Sequence, residues 1–134
     1  AAEYRVGYRH VEPPVPGEWF LAATLRFEGS SSAEATRGLL EKRRATQPIG
    51  EWSCGSVFTN PPGDHAARLI EATGLKGFRI GGAIVSPKHA NFILNEGGAS
   101  ASDIELLIRH VQREVARVQG VNLEPECRIV GEAA

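Results

Sequence analysis

Ser53 to Asp64, reading Ser-Cys-Gly-Ser-Val-Phe-Thr-Asn-Pro-Pro-Gly-Asp, sets small, polar and β-forming residues side by side between two segments that read as helices. Gly55 lets neighbouring backbone approach closely, Ser56 offers a hydroxyl, and the Asn60 amide both donates and accepts just before a Pro-Pro-Gly turn. A serine in such a place can attack a carbonyl or hand over a proton. Cys54-Gly55-Ser56-Val57-Phe58 lacks the second glycine of a nucleophile elbow, which argues against a serine hydrolase. As a proton donor, Ser56 needs only rigid support and a neighbouring charge to stabilise the alkoxide left behind. A serine that merely bonds turn backbone fits the residues equally well.

Other groups are unremarkable one at a time. Glu126, between Pro125 and Cys127, opens what reads as a terminal strand, where the plain reading is a solvated carboxylate. Arg9, after Gly7-Tyr8 and before His10, has the planar fork that clamps carboxylate or phosphate, yet it also reads as a surface arginine beside a proline loop. Lys88-His89 and Lys42-Arg43-Arg44 suit a phosphate or, more simply, solvent and a helix end. Gly81-Gly82 matches no phosphate loop. Cys54 and Cys127 are too few for a disulfide scaffold, no cysteine and histidine have zinc spacing, and two free buried thiols are expected.

These residues need a frame. At 134 residues, 42% apolar and 23% charged, the chain is expected to form one domain, residues 1–134, with one core. A net charge of -1 without a basic block argues against nucleic acid or an anionic membrane as main partner. Apolar runs such as Trp19 to Leu25 are too short to span a bilayer, so a cytoplasmic chain is expected. The start at Ala-Ala-Glu and the lack of methionine suggest a piece of something longer.

Tyr4–Val11 alternates as a strand until Pro13, and Trp19–Phe27 reads as a second, antiparallel strand ended by Gly29 and three serines. Ser32 caps a helix with Leu39 and Leu40 as its core stripe. Ser56–Phe58 is a short strand, and Asp64 caps a helix that Gly74 stops. Phe78–Val85 is a strand broken by two glycines, where a bulge or close backbone approach is expected, with Asn91–Leu94 as its neighbour. Ser102 and Glu105 form a capping box for a helix with Ile104, Leu107, Ile108, Val111, Val115 and Val118 at helical spacing. Val121–Leu123 and Cys127–Val130 give a last strand. The class is α+β: a mixed, mainly antiparallel sheet with about three helices packed on it.

Five runs carry a resemblance: Gly55-Ser56-Val57-Phe58-Thr59-Asn60-Pro61, Gly74-Leu75-Lys76-Gly77, Arg79-Ile80-Gly81-Gly82-Ala83, Lys88-His89-Ala90-Asn91-Phe92 and Leu123-Glu124-Pro125-Glu126-Cys127-Arg128-Ile129. In this order they resemble the C-terminal, substrate-binding portion of UDP-N-acetylenolpyruvoylglucosamine reductase, in the subclass without the tyrosine loop. The resemblance implies that FAD, reduced by NADPH, passes hydride to the enolpyruvyl group of UDP-N-acetylglucosamine enolpyruvate, making UDP-N-acetylmuramate for peptidoglycan. It implies that Ser56 protonates the resulting enol, that Arg9 stabilises the enolate and that Glu126 is the family's catalytic glutamate. Asn60, Gln47, Tyr8 and His89 are then substrate contacts, and Arg128 approaches the flavin. The FAD-binding N-terminal domain is absent from this chain, and residues 1–30 are expected to be the tail of that region. Val11 stands where the family has serine and Cys127 where it has valine. The alternative is a nucleotide-sugar-binding module without redox chemistry.

Overall fold

The computed structural model describes residues 3–27, 29 and 32–131. In chain order its elements are β1 (Arg5–Gly7), β2 (His10–Glu12), α1 (Ala33–Thr46), α2 (Ala66–Ala72), β3 (Arg79–Ile80), β4 (Ala83–Val85), β5 (Ile93–Asn95) and α3 (Ala101–Gln119). β1 and β2 form one antiparallel pair, and β3, β4 and β5 form an antiparallel sheet in that order. This is the α+β class read from the sequence.

α3 organises the core. Leu107, Ile108, Val111 and Val115 are buried, each such side chain contributing roughly 1.5–3 kcal/mol. The helix lies against β3, β4 and α2. Val118, expected in the stripe, is exposed. The capping box sits two residues before the expected Ser102 and Glu105: the Ser100 hydroxyl accepts from Asp103 N–H at 3.1 Å and the Asp103 carboxylate from Ser100 N–H at 2.9 Å. Asp103 wins because it also receives Gly82 N–H, tying the helix start to the β3–β4 turn. There Gly81 and Gly82 make a hairpin turn, not a bulge in one long strand. The close approach is real, since a Cβ on Gly82 would lie 2.5 Å from the Ala99 nitrogen.

Successive residues of a strand face opposite sides. Ala83, Val85 and Ile93 join the main core with Leu69, Ile70 and α3, while Ile84, Phe92 and Leu94 make a second cluster on the other face. Residues 52–58 run along the free edge of β5: Asn95 N–H donates to Trp52 O at 2.9 Å, Ser56 bridges Phe92, and Val57 N–H donates to Asn91 O at 2.9 Å. Residues 124–127 line the next edge through Thr59 N–H to Glu124 O and a Phe58–Pro125 bridge. The expected strands at Ser56–Phe58 and Cys127–Val130 are therefore single bridges at most. The buried Asn91 side chain replaces ladder bonds, accepting from Phe58 N–H at 3.0 Å and donating to Phe58 O at 2.8 Å.

The N-terminal third departs most from expectation. Tyr4–Val11 is a two-strand hairpin turning at Tyr8-Arg9, and Trp19–Phe27 forms no strand. Ser30 and Ser31, expected to help end that strand, lie outside the described residues. α1 is capped as read, with the Ser32 hydroxyl accepting from Ala35 N–H at 3.0 Å, but it buries no residue. Leu39 and Leu40, expected in the core, are exposed, as are Trp19, Phe20, Leu21, Leu25 and Phe27. Apolar content marks a surface that wants cover, and no described element supplies it. α2 has His65, not Asp64, at its N-cap, with no side-chain cap bond, and the Ala66 N–H is taken by the Asn60 side-chain oxygen at 3.0 Å. Asp64 instead pairs with Arg68 and accepts from His65 N–H.

Asn91→Ala leaves the buried Phe58 N–H and C=O unpaired, so a loss of about 2–5 kcal/mol is expected. Denaturant titration of both proteins checks it, and a change within about 0.5 kcal/mol, as at an indifferent surface site, contradicts it. The Arg68 guanidinium and the His65 N–H hold the Asp64 carboxyl down to about 2. A depressed acid stabilises the folded state above its unfolded value of about 4 and loses that contribution as pH falls through its folded value. The stability difference between wild type and Asp64→Asn is thus expected to shrink between about pH 4 and 2; a difference that stays constant there refutes the assignment.

Candidate active site

The two outer segments, the N-terminal hairpin and the C-terminal end of α1 border a cleft of about 420 Å³ lined by Arg9, Arg43, Gln47, Cys54, Gly55, Ser56, Phe92, Glu126 and Cys127. Ser56 stands on the edge beside β5, fixed by its bridge to Phe92 and by the flanking Asn91 bonds. Glu126 enters from the next segment, its N–H bonded to Val57 O at 2.7 Å. Its Oε1 lies 2.9 Å from Arg9 Nη1, while Oε2 is buried without a hydrogen-bond partner among the described residues. A buried, unsatisfied carboxylate oxygen beside a hydroxyl and a guanidinium leaves a hydrogen-bonding position open to a bound group.

Arg9 holds φ at 56°, the one positive value at a non-glycine position among the described residues. Such a conformation costs roughly 1–3 kcal/mol. The pair with Glu126 does not offset it, since Arg9 is more than half exposed and such pairs contribute about 0–1 kcal/mol. The strained turn therefore serves orientation, presenting the fork to Glu126 with the guanidinium 5.8 Å from the Tyr8 ring centre.

Of the residues singled out in the sequence, Arg9, Gln47, Ser56 and Glu126 meet in this cleft. Tyr8 and Asn60 meet each other beside it, Asn60 N–H donating to the Tyr8 hydroxyl at 3.3 Å. The Asn60 side-chain carbonyl accepts from Ala66 N–H at the start of α2, which leaves its amide NH₂ outside that bond. His89 does not line the cleft: its Nδ1 accepts from Asn91 N–H at 3.3 Å and its ring packs edge-on against Phe92 at 4.9 Å. Burial, then nearby Lys76, push its pKa down. Arg128 is exposed and does not line the cleft, though its neighbour Cys127 does. Lys88 reaches the Arg44 carbonyl in the last turn of α1, a helix-end role.

Sequence reasoning named Arg43 only within the Lys42-Arg43-Arg44 cluster, as a phosphate or helix-end charge, and passed over Asn91. Arg43 faces the cleft with its Nε donating to Gln47 Oε1 at 3.0 Å, and spacing by four in helical register was the available signal. Asn91 left no local signal, because both its side-chain bonds reach 33 residues along the chain.

The sequence pattern of the family described as UDP-N-acetylenolpyruvoylglucosamine reductase, C-terminal domain, matches residues 47–130. The enzyme of that name from Alkalilimnicola ehrlichii is 63% identical over 98% of this chain and 45% of its own length. The one from Methylococcus capsulatus is 60% identical over 98% of this chain and 44% of its own length. The chain thus spans somewhat under half the length of these curated relatives. The crystal structure of UDP-N-acetylenolpyruvylglucosamine reductase from Thermus caldophilus aligns with a TM-score of 0.60 and 42% identity, over 71% of this chain and 34% of that one. With its cleft residues inside the matched range except for Arg9 and Arg43, this chain belongs to the family of UDP-N-acetylenolpyruvoylglucosamine reductase C-terminal domains.

Proposed function

We propose that this chain is the substrate-facing half of a cytoplasmic reductase that converts UDP-N-acetylglucosamine enolpyruvate to UDP-N-acetylmuramate for peptidoglycan. The observation that carries the reading is the meeting of Arg9, Ser56 and Glu126 in one cleft, with a Glu126 oxygen buried and unpartnered. Arg9 and Arg43 bring positive charge to that cleft, which suits a substrate bearing a carboxylate and a diphosphate.

The described residues fit one side of a flavin site. Gly81-Gly82 is closed off by Asp103 and Ala99 and cradles no phosphate. The open cleft, which Cys127 lines next in the chain to the exposed Arg128, suits a reacting face. FAD, reduced by NADPH and held mainly by the other half of the reductase, supplies the hydride when bound. Charge then develops on the substrate carboxylate. The Arg9 fork, steadied by Glu126 Oε1, stabilises that charge. The Ser56 hydroxyl delivers a proton to the neighbouring carbon, with Asn91 holding its segment fixed. Gln47 positions Arg43, and Asn60 and Tyr8 extend the polar rim. The exposed apolar residues of Trp19–Phe27 and α1 suit a surface covered by the flavin-binding domain, with residues 1–30 belonging to that junction.

In the full-length reductase, Ser56→Ala should leave flavin reduction by NADPH near wild-type rate while slowing flavin reoxidation by the enolpyruvyl substrate about 10²–10⁴-fold. Stopped-flow measurement of the two half-reactions decides it, and equal loss in both removes the proton-donor role. Arg9→Gly should separate stability from activity. Glycine relieves the left-handed strain, so the unfolding free energy holds or rises by up to about 1 kcal/mol, while reoxidation slows at least about tenfold. A destabilised variant with unchanged reoxidation contradicts both halves of that expectation.

A further inference from the structure

Two side chains of the cleft take no part in the proposed reaction. Cys54, exposed, and Cys127, half-buried, are free thiols that line it beside Ser56 and Glu126. They stand on segments held side by side, since Val57 O accepts from Glu126 N–H at 2.7 Å and from Cys127 N–H at 3.5 Å, and Phe58 bridges Pro125. Gly55, with φ at 86°, turns the chain between Cys54 and Ser56. The thiols also sense one another: burial first, and then the charge of the adjacent Cys54, push the Cys127 thiol up.

We propose that Cys54 and Cys127 form a dithiol site that a low-molecular-weight disulfide oxidises to an intramolecular disulfide across the cleft. The exposed Cys54 thiolate attacks one sulfur of the small disulfide. A new S–S bond forms on Cys54, the small S–S bond breaks, and one small thiolate leaves and takes up a proton. Cys127 then gives up its proton and attacks the Cys54 sulfur, expelling the second small thiolate. Two protein thiols and one small disulfide become one protein disulfide and two small thiols, so atoms and electrons balance. The raised Cys127 thiol leaves less thiolate for the second step as pH falls. Once formed, the bond joins the segment carrying Ser56 to the one carrying Glu126. Its effect on the reductase reaction rests on the function proposed above, but its chemistry does not.

The whole protein that carries this chain is treated with glutathione disulfide and read by intact mass and by non-reducing peptide mapping. Wild type is expected to lose two hydrogens, to yield a peptide linked through Cys54 and Cys127, and to return to the starting mass with dithiothreitol. Cys127→Val, with nothing to expel the adduct, is expected to retain glutathione on Cys54 at a level at least about tenfold above wild type. A stable adduct on wild-type Cys54 equal to that of Cys127→Val overturns the proposal. So does recovery of both cysteines as alkylatable thiols after treatment, a measurement on wild type that holds even where the variant fails to fold. Because the readout is covalent mass, the pair stands or falls separately from Ser56 and its reaction.

Discussion

The buried amide of Asn91 is the interaction on which the rest of the cleft depends. Ser56 lies in an edge segment too short and too irregular for a ladder of its own, and it is held by two side-chain bonds to Phe58 and one backbone bond to Val57. Burial makes these bonds matter, because Phe58 is 2% exposed and its N–H and C=O have no water to turn to. The same segment presents Val57 O to Glu126 N–H. One amide in the β4–β5 connection thereby sets the spacing between hydroxyl and carboxylate, and the sheet and α3 beneath it make that connection rigid.

The layers below follow from simple patterning. Alternate residues of β4 and β5 divide between the α3 side and the cleft side, so Phe92 can floor the cleft while Val85 and Ile93 fill the core. The cleft stands on the less covered face of the sheet. Its polar groups come from irregular segments, where backbone not committed to a ladder can turn a side chain inward, and the left-handed Arg9 is the extreme case.

What was legible in the sequence was what short-range physics decides. α3 announced itself through the spacing of Leu107, Ile108, Val111 and Val115, though its capping box was read at Ser102 and lies at Ser100, where Asp103 also meets Gly82. The Gly81-Gly82 approach was legible as an approach, not as a hairpin turn. Trp19–Phe27 was misread because apolar, β-forming composition does not fix whether such residues pair in a sheet, and here they lie exposed. Asn60 was read as a ligand contact, and its side-chain oxygen takes the Ala66 N–H at the start of α2, which was missed because the six residues to Ala66 span a turn whose shape composition does not give. The convergence of Arg9, Ser56 and Glu126 depends on pairings far apart in the chain, and the resemblance, not the periodicity, pointed to it.

α1 has a consequence for how the cleft behaves. A fourteen-residue helix that buries no side chain has little beyond its own hydrogen bonds, its Ser32 cap and the Lys88 bond to Arg44 O to hold it, and helices of about that length are marginal in water. Arg43 and Gln47, at its C-terminal end, form one wall of the cleft. Cover over Leu39 and Leu40 would therefore also firm that wall, and a ligand gripped by Arg43 would favour the same ordered helix. The two events draw on one conformational equilibrium, so covering the far side of α1 and filling the cleft are thermodynamically linked, each lowering the entropy cost of the other.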